Sequence, residues 1–263
     1  MRMSATGLSF RADGRPIVDA VSLDVLPGEF LAIVGPNGSG KTTLISMLAG
    51  LKRPHAGDVT LDGTSIGRLK PRDLARAIAL VEQQAETGER LTARQVVELG
   101  RTPHLGALSP WSDQDRTVVE AALEAVDMTP FADRLWPSMS GGERQRLHIA
   151  RALAQEPKIL ILDEPTNHLD VEHQLGLLDL VQGRGMTVIA ALHDLNHAAM
   201  FADRIAVLHE GRLVALDVPP AVLTRERIAS VFRATAEVEP SAGGRCFIRY
   251  ARPAARSAKE TLT

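Results

Sequence analysis

The stretch Gly35-Pro36-Asn37-Gly38-Ser39-Gly40-Lys41-Thr42 decides the fold, because it satisfies G-x-x-x-x-G-K-[ST] between a predicted strand and a predicted helix. Its glycines let backbone N–H groups turn towards an anion, and the helix N-terminus adds partial positive charge. We expect Lys41 to reach the β- and γ-phosphates of a nucleotide, the Thr42 hydroxyl to bind Mg²⁺, and Thr43 to complete the phosphate-binding residues. The alternative is a glycine-rich turn with a solvated lysine, but a chance match has a probability on the order of 1%.

A carboxylate pair follows a second apolar run. The run is Ile159–Leu162 (ILIL), and Asp163 and Glu164 come directly after it. Asp163 would hold the coordination shell of Mg²⁺, and Glu164 would orient and deprotonate the attacking water. An acidic pair after a strand is by itself only a helix-capping feature. Beside the phosphate loop, the catalytic interpretation is favoured.

The order of apolar runs predicts an α/β protein with a mainly parallel sheet. Phe30–Val34 (FLAIV), Ile159–Leu162 and Thr187–Leu192 are continuously apolar, which is typical of central strands covered on both faces. Helical patterns at 42–51 and 171–182 alternate with them. The stretch 93–154 has helical periodicity, for example at 116–126, without a comparable strand, and this predicts an inserted helical subdomain.

The C-terminal third carries weaker patterns. Ile205–Leu208 and Leu213–Leu216, joined by a turn at residues 209–212, predict a hairpin. Residues 218–232 are expected to be helical after their prolines, and Arg245–Tyr250 to form a last strand. The tail from Ala251 is expected to be flexible.

Composition excludes several classes of protein. The 263 residues carry 30 Lys and Arg against 32 Asp and Glu, and this net charge of −2 argues against a dedicated nucleic-acid binder. Aromatic residues make up 3%, too few for a base-stacking platform. The single cysteine, Cys246, cannot form an internal disulfide, and no apolar run reaches the roughly 18 residues that a membrane span needs. We therefore expect a cytosolic protein that reaches a membrane through a partner.

A third motif identifies the type of P-loop protein. Ser140-Gly141-Gly142-Glu143, followed by Arg-Gln-Arg, precedes a helix predicted over 145–154, and Ser140 with Glu143 forms a capping-box pattern. The stretch resembles the signature motif of ATP-binding-cassette (ABC) ATPases and lies, as in that family, between the phosphate loop and the carboxylate pair. The resemblance covers roughly residues 8–232 and implies an ABC ATPase fold, with a RecA-like parallel core, an antiparallel β part and an inserted helical subdomain.

The resemblance assigns further site residues. Gln83 resembles the Q-loop glutamine that touches the metal and the lytic water, and the adjacent Gln84 is the alternative. Asp170 resembles the D-loop aspartate that crosses a dimer interface, and His193 the switch histidine that contacts the γ-phosphate. The position where the family usually has an adenine-stacking aromatic, near Ala12, is not aromatic here, and Phe10 is the nearest substitute. His193 and His197 also mimic a zinc pair, but Asp194 stands where that motif needs Glu.

The resemblance also implies partners. Two copies would pack head to tail, each ATP with its Mg²⁺ lying between one phosphate loop and the signature motif of the other copy. A cassette without membrane helices is typical of an importer with separate permease subunits and, indirectly, a periplasmic binding protein. It would sit on the cytoplasmic face of the inner membrane as a peripheral subunit.

Three further cues resemble the branch that imports iron–siderophore complexes, haem and cobalamin. They are the segments 99–104 (LGRTPH), 192–199 (LHDLNHAA) and 219–224 (PPAVLT). We expect iron-complex import, with cobalamin import as the alternative. A cassette acting on nucleic acid or ribosomes, or a P-loop small-molecule kinase, fits fewer of the motifs, and we expect no nucleic-acid partner. In domain terms, the chain is predicted to be a single ABC ATPase domain with an α/β core (1–88 and 155–240), a helical subdomain (89–154) and a C-terminal hairpin and tail (241–263).

Overall fold

The computed structural model describes residues 1–82, 91–106, 110–167 and 169–252. In chain order the strands are β1 (Met3–Ala12), β2 (Arg15–Val25), β3 (Phe30–Val34), β4 (Ala56–Leu61), β5 (Thr64–Ser65), β6 (Ile78–Val81), β7 (Ile159–Asp163), β8 (Thr187–Ala191), β9 (Arg204–His209), β10 (Arg212–Asp217), β11 (Ala236–Ser241) and β12 (Arg245–Tyr250). The helices are α1 (Lys41–Leu48), α2 (Pro71–Ala77), α3 (Ala93–Glu98), α4 (Asp113–Ala125), α5 (Gly141–Ala154), α6 (Val171–Gln182), α7 (Leu195–Phe201), α8 (Pro219–Val222) and α9 (Arg225–Phe232).

The predicted apolar strands form the centre of one sheet. Its order is β10-β9-β3-β8-β7-β6, and every pairing is parallel except β9 with β10. All residues of β3, β7 and β8 are buried, as continuous apolarity predicts for strands covered on both faces. The predicted α/β fold with a mainly parallel sheet is confirmed.

Alternate residues of β3 face two separate cores. Leu31 and Ile33 pack in one cluster with Leu44 and Leu48 of α1 and with the N-terminal strands. The other face of β3 packs in a second cluster with α5 and the other helices of the 93–154 region. The sheet therefore has α1, the helix that follows the phosphate loop, on one face and the helical region on the other.

A second, antiparallel sheet with the order β2-β1-β4-β5 lies at the N-terminus. The register between β1 and β2 shifts three times between Ala5 and Arg11, and Ala20 has a φ of 51°. These irregularities break the alternation of apolar and polar residues that would reveal a strand in sequence. This sheet corresponds to the antiparallel part that the fold class implies.

Helices dominate the region from 93 to 154. It contains α3, α4 and α5, and its described residues include no strand, as expected. The predicted helix at 116–126 falls largely within α4, and α5 begins at Gly141, four residues before the predicted start at 145. The earlier start follows from the cap, because Ser140 is already the N-cap residue.

The C-terminal region differs in detail from the sequence prediction. The β9–β10 hairpin is confirmed, whereas 218–232 forms two short helices, α8 and α9, and Thr224 begins the second as its N-cap. Strand β12 is confirmed and pairs with β11, so this hairpin begins at Ala236, before the expected boundary at 241. From residue 253 onward the tail lies outside the described ranges.

Helix α1 ends at Leu48, earlier than the predicted end at residue 51. Gly50 has a φ of 75°, and a Cβ there would meet the Leu74 side chain at 2.8 Å. A left-handed glycine just beyond the last turn ends the helix. Within the described ranges, no helix has both the length and the apolarity needed to span a membrane.

Candidate nucleotide-hydrolysis site

The phosphate loop joins β3 to α1 and encloses the Lys41 side chain. The Lys41 Nζ donates hydrogen bonds to the carbonyl oxygens of Gly35 (3.0 Å) and Pro36 (3.3 Å). Burial lowers the pKa of the Lys41 ammonium, and the negative charges of Glu164 and Asp163 oppose that shift. The loop therefore holds a cation against its own carbonyls, within the electrostatic reach of both predicted carboxylates.

Two positions of the loop require glycine for space. A Cβ on Gly35 would lie 2.2 Å from the carbonyl oxygen of Leu208, and one on Gly40 would lie 2.5 Å from the carbonyl oxygen of Ile17. Gly40 also has a φ of 99°, which L side chains rarely adopt. The glycine spacing of the motif is thus dictated by close contacts with β9 and β2.

Two of the three predicted magnesium ligands, Thr42 and Asp163, lie together at the carboxyl end of β7. The Thr42 hydroxyl donates to Asp163 Oδ1 at 3.4 Å. Burial raises the pKa of Asp163, and the Thr42 hydrogen bond partly opposes this. A hydroxyl and a carboxylate are hard oxygen donors of the kind that Mg²⁺ prefers beside phosphates. The residues present fit the metal.

Both carboxylate oxygens of Glu164 have partners. Oε1 contacts His193 Nε2 at 2.5 Å, and Oε2 accepts a hydrogen bond from Asn167 Nδ2 at 2.8 Å. The Glu164 backbone has a φ of 53°, so the chain turns sharply after β7, and the side chain is 11% exposed. Asn167 was not among the predicted site residues, although it stands only three positions after Glu164.

Lys41, Thr42, Glu164, Asn167 and His193 line one cavity of about 570 Å³. Its described lining comprises Ile17, Asn37, Gly38, Gly40, Lys41, Thr42, Thr43, Glu164, Asn167 and His193. The structure thus brings the phosphate loop, the candidate base Glu164 and the switch-histidine candidate His193 to a single opening.

Phe10 does not line this cavity. Its ring lies 4.9 Å from that of His55 between centroids, and Lys52 Nζ is 4.7 Å from its centroid. Ile17 on β2 lines the cavity instead. The sequence does not single out Ile17, because no local pattern marks an isoleucine as a residue that lines a phosphate-loop cavity.

The signature motif caps α5 away from this cavity. Ser140 Oγ accepts from the Glu143 N–H at 3.2 Å, and Glu143 accepts from the Ser140 N–H at 2.7 Å. These hydrogen bonds and the Arg134 guanidinium lower the pKa of Glu143. The predicted capping box is therefore formed, and Gly141 and Gly142 make up its first turn.

Asp170, the D-loop candidate, is the N-cap of α6 and accepts from the His173 N–H at 3.0 Å. Neither Asp170 nor the residues 140–143 appear in the described lining of the phosphate-loop cavity. The Q-loop candidates Gln83 and Gln84 lie outside the described residues. One copy of the chain therefore brings together only part of the predicted set.

Comparison with known proteins places these motifs in a family. Residues 18–167 match the family model described as ABC transporter. The hemin import ATP-binding protein HmuV of Rhodococcus jostii is 42% identical over 239 residues, which cover 90% of this chain and 81% of that protein. The siderophore transport system ATP-binding protein YusV of Bacillus subtilis is 36% identical over 95% of this chain and 96% of its own.

Solved structures agree. A metal-chelate type ABC transporter in an inward-facing conformation has a TM-score of 0.79 and 27% identity, over 95% of this chain and 96% of that one. A dimeric ATP-binding cassette bound to ADP and phosphate has a TM-score of 0.73 and 29% identity, over 82% of this chain and 98% of that one. Phosphate loop, carboxylates and signature motif thus occur here in a chain with the matching overall fold.

Proposed function

The chain belongs to the ABC transporter family, and from this premise we propose that it hydrolyses ATP to power the import of an iron complex, a siderophore or haem, through a separate membrane permease. The names of the hemin and siderophore import relatives support this cargo. The observation that carries the proposal is the position of Glu164, whose carboxylate lies between His193 and Asn167 at the cavity that Lys41 and Thr42 also line.

The hydrolytic step follows from this arrangement. Lys41 and the backbone N–H groups of the phosphate loop hold the β- and γ-phosphates, where their positive charge stabilises the transition state. Glu164 accepts the proton of the water whose oxygen attacks the γ-phosphorus. The bond from that phosphorus to the β–γ bridging oxygen breaks, and ADP and phosphate leave. His193 contacts the γ-phosphate and is held for that contact by Glu164.

Thr42 and Asp163 are the described residues that would hold Mg²⁺, with Gln83 as the third proposed ligand. When bound, the metal neutralises phosphate charge. The chain's own contribution is to hold a hydroxyl and a buried carboxylate side by side at the end of β7, so that a cation stabilises the charged form of Asp163.

Two copies would complete the site. Ser140, Gly141, Gly142, Glu143 and Asp170 are proposed to act on the partner's nucleotide, because they lie outside the described lining of this chain's own cavity. The N-terminus of α5 then supplies backbone N–H groups and a partial positive charge to the γ-phosphate of the partner's ATP. The similarity to a dimeric cassette supports this assembly.

We assign a separate role to each of the three proposed parts of the chain. The core (1–88 and 155–240) would carry the chemistry, the helical subdomain (89–154) would contact the permease, and 241–263 would form the C-terminal appendage. The complex would stand at the cytoplasmic face of the inner membrane. A periplasmic binding protein would deliver the cargo from the opposite side.

Uptake in cells tests the function. We expect that a strain lacking the gene fails to accumulate iron from ⁵⁵Fe-labelled siderophore or haem, and that wild type restores uptake while Glu164→Gln does not. General-base catalysis contributes about 10²- to 10⁴-fold, so the variant should hydrolyse ATP at least about a hundredfold more slowly. Uptake of a simple iron salt is the control.

Unaffected uptake of both iron complexes would overturn the proposed cargo. Selective loss of cobalamin uptake would instead assign the alternative, for which a cobalamin import relative at 40% identity provides the precedent.

A further inference from the structure

The C-terminal hairpin β11–β12 is attached to the helix that follows the switch-histidine candidate. Asn196, in the first turn of α7, makes a two-point contact with β12: its Oδ1 accepts from the Ile248 N–H at 2.7 Å, and its Nδ2 donates to the Ile248 carbonyl at 3.1 Å. A side-chain amide that satisfies both backbone groups of one residue acts as a strand partner. It fixes the distance between hairpin and helix as well as the orientation of the amide.

The same residue is tied to the turn that carries His193. Asp194 is the N-cap of α7, and its Oδ1 accepts from the N–H groups of Asn196 (2.7 Å) and His197 (3.2 Å). Asp194 directly follows His193, whose Nε2 contacts Glu164 at 2.5 Å. A continuous path of short contacts thus runs from the backbone of β12 through Asn196 and Asp194 to the pair at the cavity.

A second tie holds the opposite end of α7. Arg245, the first residue of β12, donates to the carbonyl oxygens of Ala202 (2.6 Å) and Ala199 (3.4 Å). It binds the same hairpin to the same helix but at the end away from His193. Cys246, which lies between the two ties, and Ile248, which Asn196 binds, are both buried in the core. The hairpin therefore spans α7 from end to end.

We propose that Asn196 is a positioning residue for ATP hydrolysis, through which the C-terminal hairpin sets the orientation of His193 towards Glu164. The inference rests on the proposed function and adds a role for the hairpin. Helix α7 has only seven residues, too short to hold its own N-terminal turn rigidly. The two-point contact supplies that rigidity at the residue where it affects the site.

The test compares the two ties in the full-length chain. Asn196→Ala removes the tie beside His193, and Arg245→Ala, the matched control, removes the tie at the far end. Misplacement of a catalytic group by about 1 Å costs up to about a hundredfold in rate, so we expect Asn196→Ala to lower kcat by about tenfold or more with little change in the KM for ATP. Arg245→Ala should lower the thermal midpoint but leave kcat within about twofold.

The kcat of wild type and of Glu164→Gln is measured in parallel. The thermal midpoint of each variant is measured as well. A kcat loss that merely follows the loss of stability, equally in Asn196→Ala and Arg245→Ala, would make the hairpin structural and overturn the inference alone. Wild-type kcat in a folded Asn196→Ala would do the same. A wild-type chain without ATPase activity, or Glu164→Gln as active as wild type, would overturn the proposed function and this inference together.

Discussion

At Glu164 the backbone takes up a left-handed conformation that a glutamate adopts only at some cost, on the order of 1 kcal/mol or more. The contacts to His193 and Asn167 hold the residue there. The sharp turn places the carboxylate directly at the end of β7, next to Asp163, which binds Thr42. The two adjacent carboxylates therefore contact different partners. Asp163 contacts Thr42, a predicted metal ligand like itself, and Glu164, the predicted base, contacts His193 and Asn167.

A second prediction at the residue scale concerns which side chain contacts the adenine ring of ATP, Ile17 or Phe10. We predict that Ile17→Ala weakens ATP binding about three- to tenfold, because it removes roughly 1 kcal/mol of apolar contact from the cavity wall. Phe10→Ala is the control, since that ring contacts His55 and Lys52 instead. Titration with a fluorescent ATP analogue measures both variants. If only Phe10→Ala loses affinity for ATP, the adenine contact belongs to Phe10, the residue that the sequence suggested.

Of the candidate site, the sequence predicts the residues that belong to contiguous motifs. Lys41, Thr42, Asp163 and Glu164 are found from their spacing, because the loop and the strand end are local structures. His193 is found by resemblance. Ile17 and Asn167 are not found, since their places at the cavity depend on how β2 and the turn after β7 pack in three dimensions.

At the scale of elements, the segment 99–104 shows what one of the importer-like cues does in the structure. Arg101 is 3% exposed, and its guanidinium binds Asp115 at 2.8 Å and the carbonyl of Ala154 at 2.7 Å. His104 contacts the carbonyl of Gln155 at 3.0 Å. The segment thus ties the start of α4 to the end of α5, and it stabilises the helical region from within.

The carboxylate of Asp115, which binds Arg101, should make the stability of the protein depend on pH. The Ser112 hydrogen bond, and then the Arg101 guanidinium, lower the pKa of Asp115 from 3.8 to about 2. A carboxylate with a depressed folded-state pKa stabilises the protein above its ordinary pKa, and this stabilisation is lost as the pH falls through about 2. Its contribution at neutral pH is on the order of 2 kcal/mol.

We therefore expect Asp115→Asn to be less stable than wild type at pH 7, with a difference that narrows between pH 4 and pH 2. Urea unfolding across that range measures it. Asp113→Asn is the matched control, because its side chain is 99% exposed in the same helical turn. A difference that stays constant with pH would contradict the role given to the Asp115 charge.

Elements differ in how far the sequence predicts them. Strands β3, β7 and β8 are found because all their residues are buried and apolar, and α6 is found at its observed bounds, Val171–Gln182. Strands β1 and β2 are not predicted because bulges interrupt the alternation of apolar and polar residues along them. Strand β11 is not predicted because it contains Pro240 and two acidic residues, Glu237 and Glu239, and it pairs with β12.

At the scale of the whole molecule, the proposed hydrolysis depends on a second copy of the chain. The described lining of the cavity contains the phosphate loop and Glu164 but not the residues 140–143. The capping box of α5 uses the N–H groups of Ser140 and Glu143, whereas Gly141 and Gly142 belong to the first helical turn, whose N–H groups have no acceptor within the helix. In the proposed assembly, a second copy of the chain brings its α5 to this nucleotide.

The most direct test is the molar mass of the Glu164→Gln chain under saturating Mg²⁺-ATP, measured by light scattering after size exclusion. We predict a dimer with ATP and a monomer without it, because the variant binds ATP but does not reopen by hydrolysis. Adding Ser140→Arg should leave a monomer that still binds ATP. Adding Thr92→Arg, a change at another capping box of the helical region, should leave the ATP-dependent dimer intact. A chain that stays monomeric with ATP bound, or a dimer that persists with Ser140→Arg, would contradict the proposal that residues 140–143 of a second copy complete the site.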